Sequence, residues 1–137
     1  MIRAILLTMI GIVVTFSLKS QVTLKIEVSN LKNNTGIIII DFRDGENNFI
    51  KGFSQEIVNN RCVIIIDSLK SGKYAFKYFH DENKNNKLDT YWFGAPKEGY
   101  GFSNNIKSTF RPPSFDDTVF EIKQNTVMCC FTCYINF

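Results

Sequence analysis

Residues 80–89 read His80-Asp81-Glu82-Asn83-Lys84-Asn85-Asn86-Lys87-Leu88-Asp89, with oxygen-bearing side chains at alternate positions. Counted from Asp81, side-chain oxygens fall at the third (Asn83), fifth (Asn85) and ninth (Asp89) places, and Lys87 offers a backbone carbonyl at the seventh. A hard cation such as Ca2+ takes about six to eight oxygens, several of them from one short loop. Asp81, Asn83, Asn85, Lys87 and Asp89 are therefore a candidate calcium site. Asn86 stands where such loops turn sharply, and asparagine tolerates the left-handed region better than most residues. Trp92 occupies the place of the bidentate glutamate in a helix–loop–helix site, which excludes an ordinary EF-hand. Further ligands would have to come from Glu98, Asp116 or Asp117. Two inner carboxylates imply weak affinity, on the order of 10⁻⁴–10⁻³ M. The competing reading is a polar loop whose asparagines and aspartates bond their own backbone to make turns.

Two further groups invite chemistry. His80 is the sole histidine and stands beside Asp81. A hydrolase built on His80, Asp81 and Glu98 would also need a nucleophile, and no serine or cysteine motif presents one. At the end of a strand, His80 reads better as a packed residue with a local hydrogen bond. The second group is the aromatic, glycine-rich stretch from Tyr91 to Asn105. Tyr91, Trp92, Tyr100 and Phe102 could stack on a sugar or another envelope component. The alternative is that these rings pin a long loop over one end of the domain. Gly99-Tyr100-Gly101 is no phosphate cradle, because no strand feeds it into a helix.

The elements that must carry these loops are strands. Leu24, Ile26 and Val28 alternate with Thr23, Lys25 and Glu27, and the β-branched run Ile37 to Ile40 follows a turn at Asn33-Asn34-Thr35-Gly36. Phe53–Val58 and Cys62–Ile66 flank Asn59-Asn60-Arg61, which predicts a tight hairpin. Tyr74, Phe76, Tyr78 and His80 fall on one face of a strand entered through Ser71-Gly72. Thr118–Lys123 and Thr126–Phe137 complete the set, and no window after residue 20 holds a helical period. About seven short strands predict an all-β chain, an Ig-like or transthyretin-like Greek-key β-sandwich with a long loop insertion at 81–117.

The apolar run Ala4–Leu18 behind Arg3, closed by Lys19-Ser20, has the layout of a secretory signal peptide over residues 1–20 and is short for a membrane span. Residues 21–137 then make one domain, exported to the periplasm, the cell envelope or beyond. Removing Arg3 and Lys19 from the 16 basic residues leaves 14 against 13 acidic ones, scattered rather than striped. Nucleic acid is a poor partner for such a surface. Four cysteines, Cys62, Cys129, Cys130 and Cys133, permit two disulfides in an oxidising compartment. On a strand, Cys129 and Cys133 would share the apolar face of Val127 and Phe131 while Cys130 points away. Buried thiols, with or without one bridge to Cys62, fit this chain better than a metal or redox centre.

Three segments carry a resemblance: His80 to Thr90, then Gly94-x-Pro96-Lys97-Glu98-Gly99-Tyr100-Gly101-Phe102-Ser103-Asn104-Asn105, then Pro112-Pro113-Ser114-Phe115. Together they resemble a family of exported bacterial proteins, domain of unknown function 2141. Arg111 replaces a glycine of that pattern, and the Cys129–Cys133 ending is peculiar to this chain. The resemblance implies an exported β-sandwich and no established activity. The expected function is a non-catalytic binding or structural module. A carbohydrate- or envelope-binding role of the aromatic loop is the alternative.

Overall fold

A computed structural model describes residues 20–107 and 111–135. The expected signal peptide lies outside the described residues, apart from Ser20. Eight strands run β1 (Gln21–Ser29), β2 (Ile37–Asp44), β3 (Phe49–Glu56), β4 (Cys62–Lys70), β5 (Gly72–Asp81), β6 (Tyr100–Phe102), β7 (Phe120–Ile122) and β8 (Thr126–Phe131). A single helical turn, α1 (Phe115–Thr118), precedes β7. The strands form a three-stranded sheet in the order β4-β1-β8 and a five-stranded sheet β3-β2-β5-β6 with β7 also paired to β5. Among the described residues no helix is long and apolar enough to cross a membrane.

The period-two alternation of each strand decides which face is apolar, and the two apolar faces meet. Leu24, Ile26 and Val28 of β1 and Ile64 and Ile66 of β4 point inward from the small sheet. Ile38, Ile40, Phe42, Tyr74, Phe76 and Tyr78 oppose them from the large one. Phe42 stacks on Tyr74 at 5.2 Å, and Phe76 meets Phe120 edge-on at 5.7 Å. The Tyr74 hydroxyl donates to the Lys70 carbonyl at 2.7 Å, anchoring the turn through Ser71-Gly72. Gly101 lies over the Tyr78 ring, where a Cβ would come within 2.3 Å of Cζ.

Three expectations need correction. The reversal at Asn59-Asn60 is tight, with Val58 and Arg61 exchanging backbone bonds and both asparagines at positive φ. It does not make a hairpin, because β3 and β4 join different sheets. Second, β6 and α1 stand where the sequence predicts loop. Tyr100–Phe102 is too short for alternation to register, and it becomes a strand by pairing with Lys77–Phe79. Third, the cysteine faces are inverted. β8 pairs parallel to β1 with Val28 opposite Cys130, so Cys130 is buried with Val28 while Cys129 is exposed.

All four thiols are free. Cys62 and Cys130 flank Val28 on opposite sides, two strand spacings or about 9.5 Å apart, beyond the reach of a disulfide. Burial pushes both thiols up from 9.0 to about 12. A native-state reaction with a disulfide reagent should therefore modify Cys129 first and spare Cys62 and Cys130 until unfolding. Because the folded thiols bind protons more tightly than the unfolded chain, stability should hold below about pH 9 and fall as pH rises towards 12, a trend a Cys62→Ala/Cys130→Ala variant would flatten.

Candidate functional site

β5 pairs with β2 so that His80 meets Ile38 and Asp81 meets Ile37. The candidate calcium loop thus starts from the central strand pair of the large sheet. Asp81 is fully buried, and its two carboxylate oxygens accept from the Asn85 and Asn86 amides at 3.1 and 2.8 Å. Asn83 Oδ1 takes the Asn85 amide at 3.1 Å, and Asn85 Oδ1 takes that of Lys87 at 2.8 Å. The side-chain amides of Asn83 and Asn85 both donate to the Asp89 carboxylate, at 2.7 and 3.0 Å. Lys84 and Asn86 adopt positive φ to allow these turns. Asp81, Asn83, Asn85 and Asp89 are therefore brought together, and they satisfy one another as a linked set of Asx turns.

Glu98 joins this loop from outside. Its carboxylate is buried and accepts from the Glu82 amide at 2.9 Å and the Asp89 amide at 3.0 Å, clamping both ends. Asp116 and Asp117 are placed elsewhere, on α1, where Asp117 accepts from the Ser114 hydroxyl at 2.7 Å. His80 is also sealed. Its Nε2 donates to the Thr35 carbonyl at 2.6 Å, and Nδ1 pairs with the Tyr134 hydroxyl at 3.3 Å. The same hydroxyl accepts from the Lys32 amide at 3.0 Å. Gly36, at φ +84°, lets Thr35 approach, because a Cβ there would sit 2.0 Å from the Asp81 carbonyl. His80 thus acts as a tie between β5, the 35–36 turn and the C-terminal segment.

The aromatic residues divide between two places. Tyr100 and Phe102 pair with Phe79 and Lys77, which in turn pair with Ile39 and Asp41 on β2. The register sets two rows on the outer face of the large sheet: Ile39–Phe79–Tyr100 and Asp41–Lys77–Phe102. Leu88 and the Phe93-Gly94-Ala95-Pro96 segment stand along one side of these rows, and Arg111 and Pro112 also line the hollow, a groove of about 930 Å³. A shallower hollow of about 250 Å³ continues it past Ala75 to Pro113 and Phe115, sharing Asp41, Lys77, Phe102 and Pro112. Asp41 is held by Arg43 at 2.9 Å and lies 3.5 Å from Lys77.

Tyr91 and Trp92 line neither hollow. Tyr91 stacks on Phe93 at 5.4 Å, and Trp92 projects from the turn 95% exposed. The candidate set Tyr91, Trp92, Tyr100 and Phe102 is thus split between a loop tip and a groove floor. Sequence reasoning missed Ile39, Phe79 and Phe93. Phe79 was the available signal, an apolar residue on the strand face opposite Tyr78 and His80.

The Ser103-Asn104-Asn105 run follows β6 and ties it to β5, α1 and β8. The Ser103 hydroxyl bridges Phe76 and the Thr118 carbonyl. Asn104 donates to the Asp117 and Val119 carbonyls, and Asn105 bonds Cys129 and Phe131 of β8. These residues, with the clamp at Glu98, belong to the stretch that a family model covers. Residues 26–129 match the model of DUF2141, uncharacterised proteins conserved in bacteria. This chain belongs to that family. No curated protein and no solved structure matches it. Glu98, Ser103, Asn104 and Asn105, inside the matched span, therefore have structural work that their geometry explains.

Removing the clamp tests this assignment. Glu98→Ala should cost roughly 2–4 kcal/mol by orphaning two amides, and amide exchange at Glu82 and Asp89 should accelerate ahead of the core. Exchange unchanged at those two positions would show that the loop holds itself.

Proposed function

We propose that this chain is an exported, non-catalytic binding module of the periplasm or cell envelope, with its ligand in the groove over β2, β5 and β6. The groove's size and lining carry the reading. About 930 Å³ falls in the range of small-molecule sites, and an apolar floor with few polar groups is their usual chemistry. Asp41, Lys77 and Arg111 supply those polar groups, so the ligand class is a small amphiphile or an aromatic molecule with a polar end. The Greek-key topology of an Ig-like or transthyretin-like sandwich is part of the reading. It is supported by the chain's passage between sheets after β1, β3, β4 and β7.

Calcium is a second element of this proposal. Its support is the convergence of Asp81, Asn83, Asn85 and Asp89 within hydrogen-bond reach of one another. Each carboxylate oxygen that accepts one N–H keeps a second lone pair for an ion. The ion would stiffen the wall of the groove. A carbohydrate- or envelope-binding module using the aromatic 91–102 stretch is the alternative, favoured by the exposure of Trp92.

Anilinonaphthalene sulfonate should bind the native chain saturably and one to one, and Phe102→Asp should weaken it by about tenfold while the melting temperature changes little. Equal binding by the variant would remove the groove from consideration. For the loop, melting in EDTA and then in millimolar calcium should show a rise that Asp89→Ala abolishes. Saturation at 100 times the dissociation constant corresponds to about 2.7 kcal/mol. A rise equally large with magnesium, or none, would reduce the loop to its turns.

A further inference from the structure

The turn that carries Trp92 is built to present it. Gly94 donates to the Tyr91 carbonyl at 2.9 Å and Tyr91 to the Ala95 carbonyl at 2.8 Å, so Trp92 and Phe93 occupy the tip. Gly94 takes φ +90°, and Thr90 bridges Pro96 to close the base. Behind the tip, the Lys97 amide donates to the Asp89 carbonyl at 2.8 Å, fastening the turn to the clamped loop. Trp92 is 95% exposed, beside Phe93 at 49% and Leu88 at 37%.

The charges around the tip are sorted by sign. From Asp81 to Glu98 the acids are buried or half-buried, and Asp81, Asp89 and Glu98 are spent on N–H groups. The exposed charges of the same stretch are Lys84, Lys87 and Lys97. Lys97 lies 5.4 Å over the Tyr91 ring, which itself stacks on Phe93. The exposed side chains of this stretch are thus aromatic, apolar, amide, hydroxyl or ammonium, and none is a carboxylate. Aromatic rings settle at the boundary between headgroups and acyl chains, and lysines beside them are attracted to anionic lipid.

We infer that the Trp92–Phe93 tip, with Leu88 and the lysines at 84, 87 and 97, docks the domain onto an anionic bilayer surface. Neutral sugars offer stacking faces but give the three lysines nothing to neutralise, so charge complementarity favours an anionic lipid surface over them. Phe93 and Leu88 also line the groove, whereas Trp92 and these lysines do not, so a readout at Trp92 and the lysines tests docking whether or not the groove holds a ligand.

Trp92 is the only tryptophan, so its emission reports the tip directly. The chain expressed from Met1 is titrated with vesicles of phosphatidylglycerol and phosphatidylcholine in equal parts, and with vesicles of phosphatidylcholine alone. A blue shift with the anionic vesicles, quenching by lipids brominated on the acyl chain and reversal by high salt are expected. Lys84→Gln/Lys87→Gln/Lys97→Gln, which keeps the reporter, should need about a hundredfold more lipid. Emission unmoved by anionic vesicles would overturn the inference, as would a shift produced by peptidoglycan fragments and not by vesicles. An unchanged titration in the lysine variant would overturn it too.

Discussion

The antiparallel pairing of β2 with β5 is the constraint on which the rest of the molecule depends. Eight successive pairs, from Ile37 with Asp81 to Asp44 with Tyr74, join two strands that each carry large side chains on both faces. Inward, Ile38, Ile40, Phe42, Phe76 and Tyr78 supply much of the core that the three-stranded sheet covers. Outward, Ile39, Asp41, Lys77 and Phe79 make the floor of the groove. At its end the pair delivers His80 and Asp81 as fully buried polar residues, each of which must find partners. A one-residue slip would exchange all of these faces at once.

The loop end shows what burying polar groups obliges a chain to do. Asp81 and Glu98 are carboxylates out of water, and both are answered by backbone amides rather than by cations. Amides can answer them only if the chain turns repeatedly, which explains the run of asparagines and the positive φ at Lys84 and Asn86. His80 follows the same logic, linking Thr35 to Tyr134 across segments far apart in sequence. With the acids turned inward, the lysines remain as the outward charge, so the surface character of this end follows from its interior bonding.

Family membership and geometry bear on the same residues from different sides. The Glu98 to Asn105 stretch reads as a motif, and its polar members are all engaged in hydrogen bonds that hold the scaffold. Glu98 clamps a loop, Ser103 joins β5 to α1, Asn104 ties the segment that leads into β7, and Asn105 holds β8 itself. The groove is lined by apolar side chains from several segments, Ile39, Phe79 and Phe93 together with Phe102 of this stretch. They are scattered in sequence, so no spacing rule gathers them before the strands pair.

Alternation and turn chemistry are local, and the sequence by itself determined what depends on them. It determined the positions of β1, β2, β4 and β5 to within a few residues, the inward faces of β1 and β5, the turns at Asn59-Asn60 and Ser71-Gly72, and the Asx character of residues 81–89. Tertiary structure decided what depends on partners remote in the chain. It sent β3 and β4 to different sheets despite their tight turn and made a strand of Tyr100–Phe102. By laying β8 parallel to β1 it buried Cys130 and exposed Cys129. It also divided Tyr91 and Trp92 from Tyr100 and Phe102, placing one pair at a tip and the other in a groove. The physical reason is common to all four: a residue's face is set by its own φ and ψ, whereas its neighbours are set by the register of a strand remote in the chain, as Val28 is by Cys130.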